Sequence, residues 1–244
     1  MLVNQGASIK TLTPLITQRT IKDITTLPVS VLECVQWQNQ QNAVAAQQGA
    51  LITDLILTAR EMIEKYCWID ITPATYQALF DISPWGLEGI YSNNIRLVLQ
   101  RAPIFSTANI TLIEYLDDTG AWVTFDVGNA LSIAGLFDNV TERIEALQWA
   151  TLYFNQAPMF DARTNAYKIR VTFFCGYDFS KNGDPLKAMP ISLKTAIKKI
   201  VAWNYANRGD VIGGQNLFGF PVPDGTKALL DNFSVAVGTL GEFR

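Results

Sequence analysis

The chain has 244 residues, 49% of them hydrophobic and 11% aromatic, with 22 acidic side chains against 19 basic ones and a formal charge of −3. That profile belongs to a folded chain long enough to bury a core. It excludes a disordered protein and a sequence-independent nucleic-acid binder, which needs surplus cations to neutralise phosphates. The chain has no histidine, so a Ser–His–Asp triad, a Cys–His nucleophile and a mixed Cys/His zinc site are excluded as well.

Residues 1–26 mix Thr, Ile, Lys and Gln without a clear period and are expected to form an arm that orders only against a neighbour. Ser30-Val31-Leu32-Glu33 then spells a capping box, with Val29 and Cys34 where a hydrophobic staple would place them. The first helix carries Leu32 and Val35 and gives way to a Gln/Asn-rich stretch, 36–48, read as a solvated helix face or loop. In the second helix Ile52, Leu55, Ile56, Ala59, Met62, Ile63 and Tyr66 recur at three and four. Arg60, Glu61, Glu64 and Lys65 are expected to point mostly elsewhere, and the helix stops before Pro73.

From residue 75 to 177 the period changes to two. Strands are expected at 75–80, 95–99, 110–115, 122–125 and 167–175, with Asp117-Asp118-Thr119-Gly120 supplying the chemistry of a hairpin turn. Residues 131–160 fit both periods, and 143–147 leans to strand. A third helix opens at Pro190, carries the stripe Leu193, Ile197, Ile200, Val201 and Asn204, and is expected to stop at Gly209. A loop through Gly213, Gly214, Phe218, Gly219 and Phe220 leads to a short fourth helix at about 224–231.

The fold class read from this order is α+β: a small bundle of about four helices with a β-sheet insertion between the second and third, and extended arms at both ends. The expected boundaries are an N-terminal arm at 1–26, a main domain at 27–233 and a C-terminal tail at 234–244. Within the main domain, 27–74 and 185–233 form the helical core and 75–177 the β-insertion.

Candidate chemistry is sparse. Acidic side chains alone can run glycoside hydrolysis, which makes Asp117/Asp118, Glu142/Glu145 and Asp178/Asp184 the pairs to weigh. Each falls in a turn or on a polar face, and adjacent strand residues point to opposite sides, so no catalytic residue is assigned. Gly213-Gly214 follows no expected strand and no phosphate-cradling motif occurs, so no cofactor is expected. Cys34, Cys67 and Cys175 have no CxxC spacing and read as buried small hydrophobes in a reducing compartment, with no metal site. No signal-peptide core follows Met1, and the most apolar run, 51–57, carries Asp54 and is too short to span a bilayer, so no membrane partner is expected.

Two surface features remain. Lys194, Lys198 and Lys199 form a basic patch on the third helix. It is either the solvated side of an amphipathic helix or a contact for an acidic partner subunit or passing DNA. Trp85, Trp122, Trp149, Phe154 and Phe160 serve either core packing or an oligomer interface. If they form an exposed row on a stable monomer, the alternative is a carbohydrate- or receptor-binding module.

Four stretches together resemble the phage head–tail connector family of the gp6-like type, whose members are also called adaptor or head-completion proteins. They are Leu27-Pro28-Val29-Ser30-Val31-Leu32-Glu33; Leu51-Ile52-Thr53-Asp54-Leu55-Ile56 with Ala59-Arg60-Glu61-Met62-Ile63-Glu64; Tyr167-Lys168-Ile169-Arg170-Val171 leading to Gly176-Tyr177; and Pro190, Leu193-Lys194, Ala196-Ile197 and Tyr205-Ala206-Asn207-Arg208. Pro223 and Leu229-Leu230-Asp231-Asn232-Phe233 continue the likeness, which spans about 27 to 233. Gln47 and Gln48 stand where the family often carries acids, and the β-region is longer than in compact members.

The resemblance implies a structural virion protein, not an enzyme, made in the bacterial host cytoplasm and located in the neck. It implies a homo-oligomeric ring, typically of twelve subunits, below the portal protein and above a tail or neck protein, with DNA passing through the lumen without specific binding. By the same analogy the C-terminal segment docks on the portal, which makes Phe233, Val235, Val237, Leu240, Phe243 and Arg244 the candidate portal-binding residues.

Overall fold

Alternating burial is the rule that builds the β-rich part of the molecule. The computed structural model describes residues 10–12, 14–22, 25–38, 42–81, 95–116, 119–125, 131–134, 150–154, 168–179, 188–207 and 224–234. Those within Met1–Asp23, Pro73–Asp138 and Gln148–Gly176 form one unit, and those within Ile24–Thr72 and Tyr177–Arg244 form another. The class is α+β.

The first unit contains β1 (Lys10–Leu12), β2 (Ile16–Lys22), β3 (Ala74–Asp81), β4 (Ile95–Val98), β5 (Ile110–Leu116), β6 (Trp122–Thr124), β7 (Leu131–Ala134), β8 (Thr151–Phe154) and β9 (Lys168–Cys175). They make two sheets, ordered β1-β4-β8-β7 and β2-β3-β9-β5-β6. The β1–β4 pair is parallel, and the other pairs are antiparallel.

Along β3 and β9 every second residue is buried, so Ala74, Tyr76, Ala78 and Phe80 sit opposite Cys175, Phe173, Val171 and Ile169 on one face. The Tyr76 and Phe173 rings stack across the strands with centroids 5.8 Å apart. On β5 the register slips between Ile110 and Leu112, which lets Ile110 and Ile113, three positions apart, both face inward. Leu97, Leu99, Ile104, Ala150 and Leu152 complete the same apolar cluster, so residues of both sheets share one core. After β5 the hairpin turns at Gly120, whose φ of +82° is open to glycine at no steric cost.

One expectation is corrected here, and one left open is answered in part. Residues 16–22, read as part of an arm awaiting a neighbour, pair with β3 of their own chain. As an edge strand β2 exposes Ile16, Gln18, Arg19 and Thr20, so its hydropathy carries no alternation, although Ile16, Thr17 and Thr20 are strand formers. The ambiguous stretch after residue 130 contains β7 and β8, while 143–147 lies outside the described residues.

The second unit holds α1 (Val31–Trp37), α2 (Asn42–Cys67), α3 (Ile191–Ala206) and α4 (Asp224–Asp231). Ser30 and Glu33 form the expected capping box: the Glu33 amide donates to Ser30 Oγ at 3.1 Å, and the Ser30 amide donates to Glu33 Oε2 at 2.7 Å. Helix α2 starts earlier than expected and is interrupted at Gln48, where φ is −122°. There Gln48 Oε1 accepts the Tyr205 hydroxyl at 2.6 Å, joining α2 to α3. Ile52, Ile56, Ala59, Ile63 and Cys67 of α2 are buried, as are Leu193, Ala196, Ile197, Ile200 and Val201 of α3.

Arg60 and Glu64, expected to point outward, are 2% and 7% exposed. The cause lies beyond the helix: Glu64 Oε1 accepts the Ile71 amide at 3.0 Å and the Thr72 amide at 3.5 Å, giving backbone donors after the helix end a partner. Helix α3 closes at Asn207, whose backbone N–H and Nδ2 both donate to the Trp203 carbonyl, at 3.0 and 2.8 Å. Gly209, the expected stop, is outside the described residues.

Candidate assembly surfaces

Helical spacing decides what the three lysines of α3 can do. Ile191, Lys194 and Lys198 recur at three and four and share a side of the helix, whereas Lys199 is turned away from it. The Lys198 ammonium lies 4.8 Å from the centroid of the Trp37 ring on α1, a cation–π contact. Lys194 and Lys198 also help hold the Glu33 carboxyl below its ordinary range, after the dominant effect of the hydrogen bond from the Ser30 amide. Lys199 Nζ lies 3.7 Å from where a Cβ on Gly225 of α4 would stand. The patch expected from sequence is therefore divided. Two lysines face the basic-to-acidic seam with α1, and one faces the start of α4.

Around that seam sits apolar surface. Leu32 and Trp37 of α1 are about half exposed, and Ile191 at the start of α3 is 81% exposed. The lysine pair thus stands beside exposed aliphatic and aromatic groups.

Phe233 follows α4. Its amide donates to the Leu230 carbonyl at 2.8 Å, and the Ser234 amide donates to the same oxygen at 3.0 Å, which closes the helix. Helix α4 is held to α2 by the Tyr66 hydroxyl, which donates to Asp231 Oδ1 at 2.6 Å, and by the Cys67 thiol, which donates to the Leu230 carbonyl at 3.6 Å. The bond to Asp231 and, secondarily, burial push the Tyr66 hydroxyl up to about 12. Val235, Val237, Leu240, Phe243 and Arg244 are outside the described residues.

In the β-unit the five-stranded sheet has one core face and one outer face. Ile16, Leu79, Arg170, Glu114 and Thr124 follow one another across its five strands. Glu114 Oε2 accepts Arg170 Nε at 2.7 Å and lies 2.7 Å from the neighbouring guanidinium nitrogen. The same guanidinium stands 4.3 Å above the Trp122 ring. Trp122 is thus half-buried, with Arg170 over one face of its ring. Phe154 lies in β8, and Trp85, Trp149 and Phe160 are outside the described residues.

Of the candidate acids only one falls among the described residues. Asp178 is half-buried, and Asp117, Asp118, Glu142, Glu145 and Asp184 lie outside the described residues. Among the described residues no group of three or more His, Cys, Asp or Glu side chains could hold a metal ion, and no helix is long and apolar enough to cross a membrane. Gly213 and Gly214 are also outside the described residues. All three cysteines are buried thiols, and burial pushes Cys34 up to about 11 and Cys67 up to about 12.

Sequence reasoning missed the Tyr66–Asp231, Tyr205–Gln48 and Arg170–Glu114 pairs, each formed by side chains far apart in the chain. The signal that was available is the phenol at the margin of the α2 stripe, an amphipathic group with an apolar body and a polar tip that needs a partner.

No family model matches the chain, and no curated protein matches it. Solved structures do. The fold is similar to that of a chain in the virion of the native gene transfer agent (GTA) particle, with a TM-score of 0.60 at 16% identity, covering 91% of this chain and 96% of that one. A chain in the neck of the empty GTA particle computed with C6 symmetry gives a TM-score of 0.58 at 15% identity, over the same shares. A chain in the neck of the native GTA particle computed with C12 symmetry gives 0.56 at 16%, again over 91% and 96%. At such identities the likeness is one of fold.

Proposed function

We propose that this chain is a structural component of a phage-like virion neck, an adaptor that forms a ring below the portal, joins capsid to tail and lines the DNA exit channel. The observation that carries the reading is the fold likeness to neck and virion chains over nine-tenths of both partners. The head–tail connector resemblance rests on different evidence, short sequence blocks in α1, α2, β9 and α3, and points the same way. The role is read as structural and not enzymatic: the chain has no histidine, and the solved structures whose fold it shares are virion and neck assemblies.

In this reading the ring has twelve copies. At −3 each they give a total of about −36, a net-repulsive lumen in which DNA slides because no phosphate neutralisation holds it. The segment from Phe233 onward docks on the portal, with α4 anchored by Tyr66 and Asp231 as its base. The seam of Lys194, Lys198, Leu32 and Trp37 meets an acidic neighbouring subunit. The carbohydrate-binding alternative needs an exposed row of aromatics, and Trp122, the one candidate whose side chain is described, lies under Arg170.

The test is the mass of the purified chain by light scattering, alone and mixed with its phage's portal ring. A twelvefold mass, or stoichiometric capture that is lost on deleting residues 234–244, supports the adaptor reading. A persistent monomer that ignores the portal overturns it.

A further inference from the structure

Burial leaves one side of α2 outside. Ile52, Ile56, Ala59 and Ile63 are buried, while Leu51, Asp54, Thr58, Glu61 and Lys65 recur at three and four on the opposite side and are exposed. Asp54 and Glu61 are the acids of this stripe and Lys65 is its base. The Glu61 carboxyl, 68% exposed, stands 3.9 Å from the buried Arg60 guanidinium. The stripe runs out at Trp68, which is 46% exposed and has a φ of +57°. That left-handed backbone favours glycine, so the indole is displayed at a conformational cost of the kind that concentrates at binding and switching sites.

The seam between α1 and α3 carries the converse pattern. Its exposed apolar groups are Leu32, Trp37 and Ile191, its bases are Lys194 and Lys198, and its acid is Glu33. Two acids and a base stand on the α2 face, and two bases and an acid on the seam, each set flanked by aliphatic and indole surface. Along the helix axes Asp54 and Glu61 are about 10 Å apart and Lys194 and Lys198 about 6 Å, a difference that the flexible lysine stems take up.

We propose that the outer face of α2 in one copy packs on the α1–α3 seam of a second copy. This names the acidic neighbour of the seam as the same chain and rests on the neck reading for ring closure. Seam-to-seam pairing would oppose Lys194 and Lys198 to their own counterparts in a closed two-fold dimer. Face-to-seam pairing is heterologous, matches opposite charges and propagates around a cyclic ring.

Charge reversal tests the contact, read by light scattering with the portal ring present. Full-length Asp54→Lys/Glu61→Lys and Lys194→Glu/Lys198→Glu chains each bring like charges together, and each is expected to lose assembly by roughly tenfold or more. Mixed in equal amounts they restore it, because each variant supplies the side that the other lacks. Wild-type assembly of the Asp54→Lys/Glu61→Lys chain overturns the proposal, and so does a mixture that stays apart while both variants keep the wild-type melting curve. Lys198→Glu also removes the contact with Trp37, so a cross-link that leaves every charge in place gives a second measurement. Thr58→Cys and Ile191→Cys chains, substituted at exposed sites while the native thiols are buried, are assembled on the portal ring and treated with a short thiol cross-linker. Covalent dimers are expected in the mixture and not in either variant alone. Linkage of either variant to itself, or no linkage in particles of ring mass, overturns the proposal and leaves the neck reading standing. Linked open polymers that ignore the portal support the proposal and count against the neck reading. A wild-type chain that neither self-associates nor binds the portal overturns both.

Discussion

Tyr66 of α2 and Asp231 of α4 are 165 positions apart in sequence and share a 2.6 Å hydrogen bond at the protein surface. The bond sits three residues before Ser234, where the described chain leaves α4. Tyr66→Phe keeps the ring and removes the donor. For so exposed a pair the expected cost is about 0.5 kcal/mol in global stability. The larger effect is local: amide exchange at Phe233 and Ser234 speeds up while exchange in the α2 core is unchanged. Equal protection in both proteins would show that the Tyr66–Asp231 bond is not needed to hold α4.

Alkaline pH tests the same helices. Tyr66 is raised from 10 to about 12, Cys34 from 9 to about 11 and Cys67 from 9 to about 12. In each case the folded state favours the protonated form. The stability so contributed is fully present below the unfolded values and is lost as pH rises through the folded ones. Unfolding free energy should therefore decline from about pH 9 and continue to fall to about pH 12. Cys34→Ala/Cys67→Ala flattens the first part of that decline, measured by urea titration at each pH. A profile unchanged by the double substitution would remove the thiols from the account.

The core of the β-unit rests on cross-strand pairs. Phe173→Ala removes one ring of the Tyr76–Phe173 stack from a fully buried site and is expected to cost about 3–5 kcal/mol, whereas Phe173→Leu costs less because it refills most of the volume. Chemical denaturation of both variants measures the difference.

Glu64 separates a buried acceptor from a buried charge. Glu64→Ala leaves the Ile71 and Thr72 amides without their carboxylate and is expected to cost about 2–3 kcal/mol, while Glu64→Gln retains an acceptor oxygen and costs less. Similar losses in the two variants would mean that the charge, and not the hydrogen bonds, matters there.

Legibility in the sequence followed burial. Strands β3 and β9 were readable because their burial alternates residue by residue, which writes a period of two into the hydropathy. The α1 start was readable because its capping box is local, closing between Ser30 and Glu33. Strand β2 was not, since an edge strand exposed on both sides leaves no such imprint. Arg60 and Glu64 misled for the opposite reason: charge suggests solvent, and what buries Glu64 is a pair of amides seven and eight residues on. The lysines of α3 were found, but their division between α1 and α4 depends on helix packing that periodicity does not encode.

The N-terminal strands have a consequence for how the protein is made. β1 and β2 each form an edge of a different sheet, and the hydrogen bond from Thr20 to the Thr75 carbonyl spans 55 positions. The ribosome delivers these two strands before β3 and β4 exist to receive them. A nascent chain halted before residue 74 therefore carries sticky, β-branched ends with no sheet to join, and both sheets gain these edges only after the whole length of α2 has passed the exit tunnel.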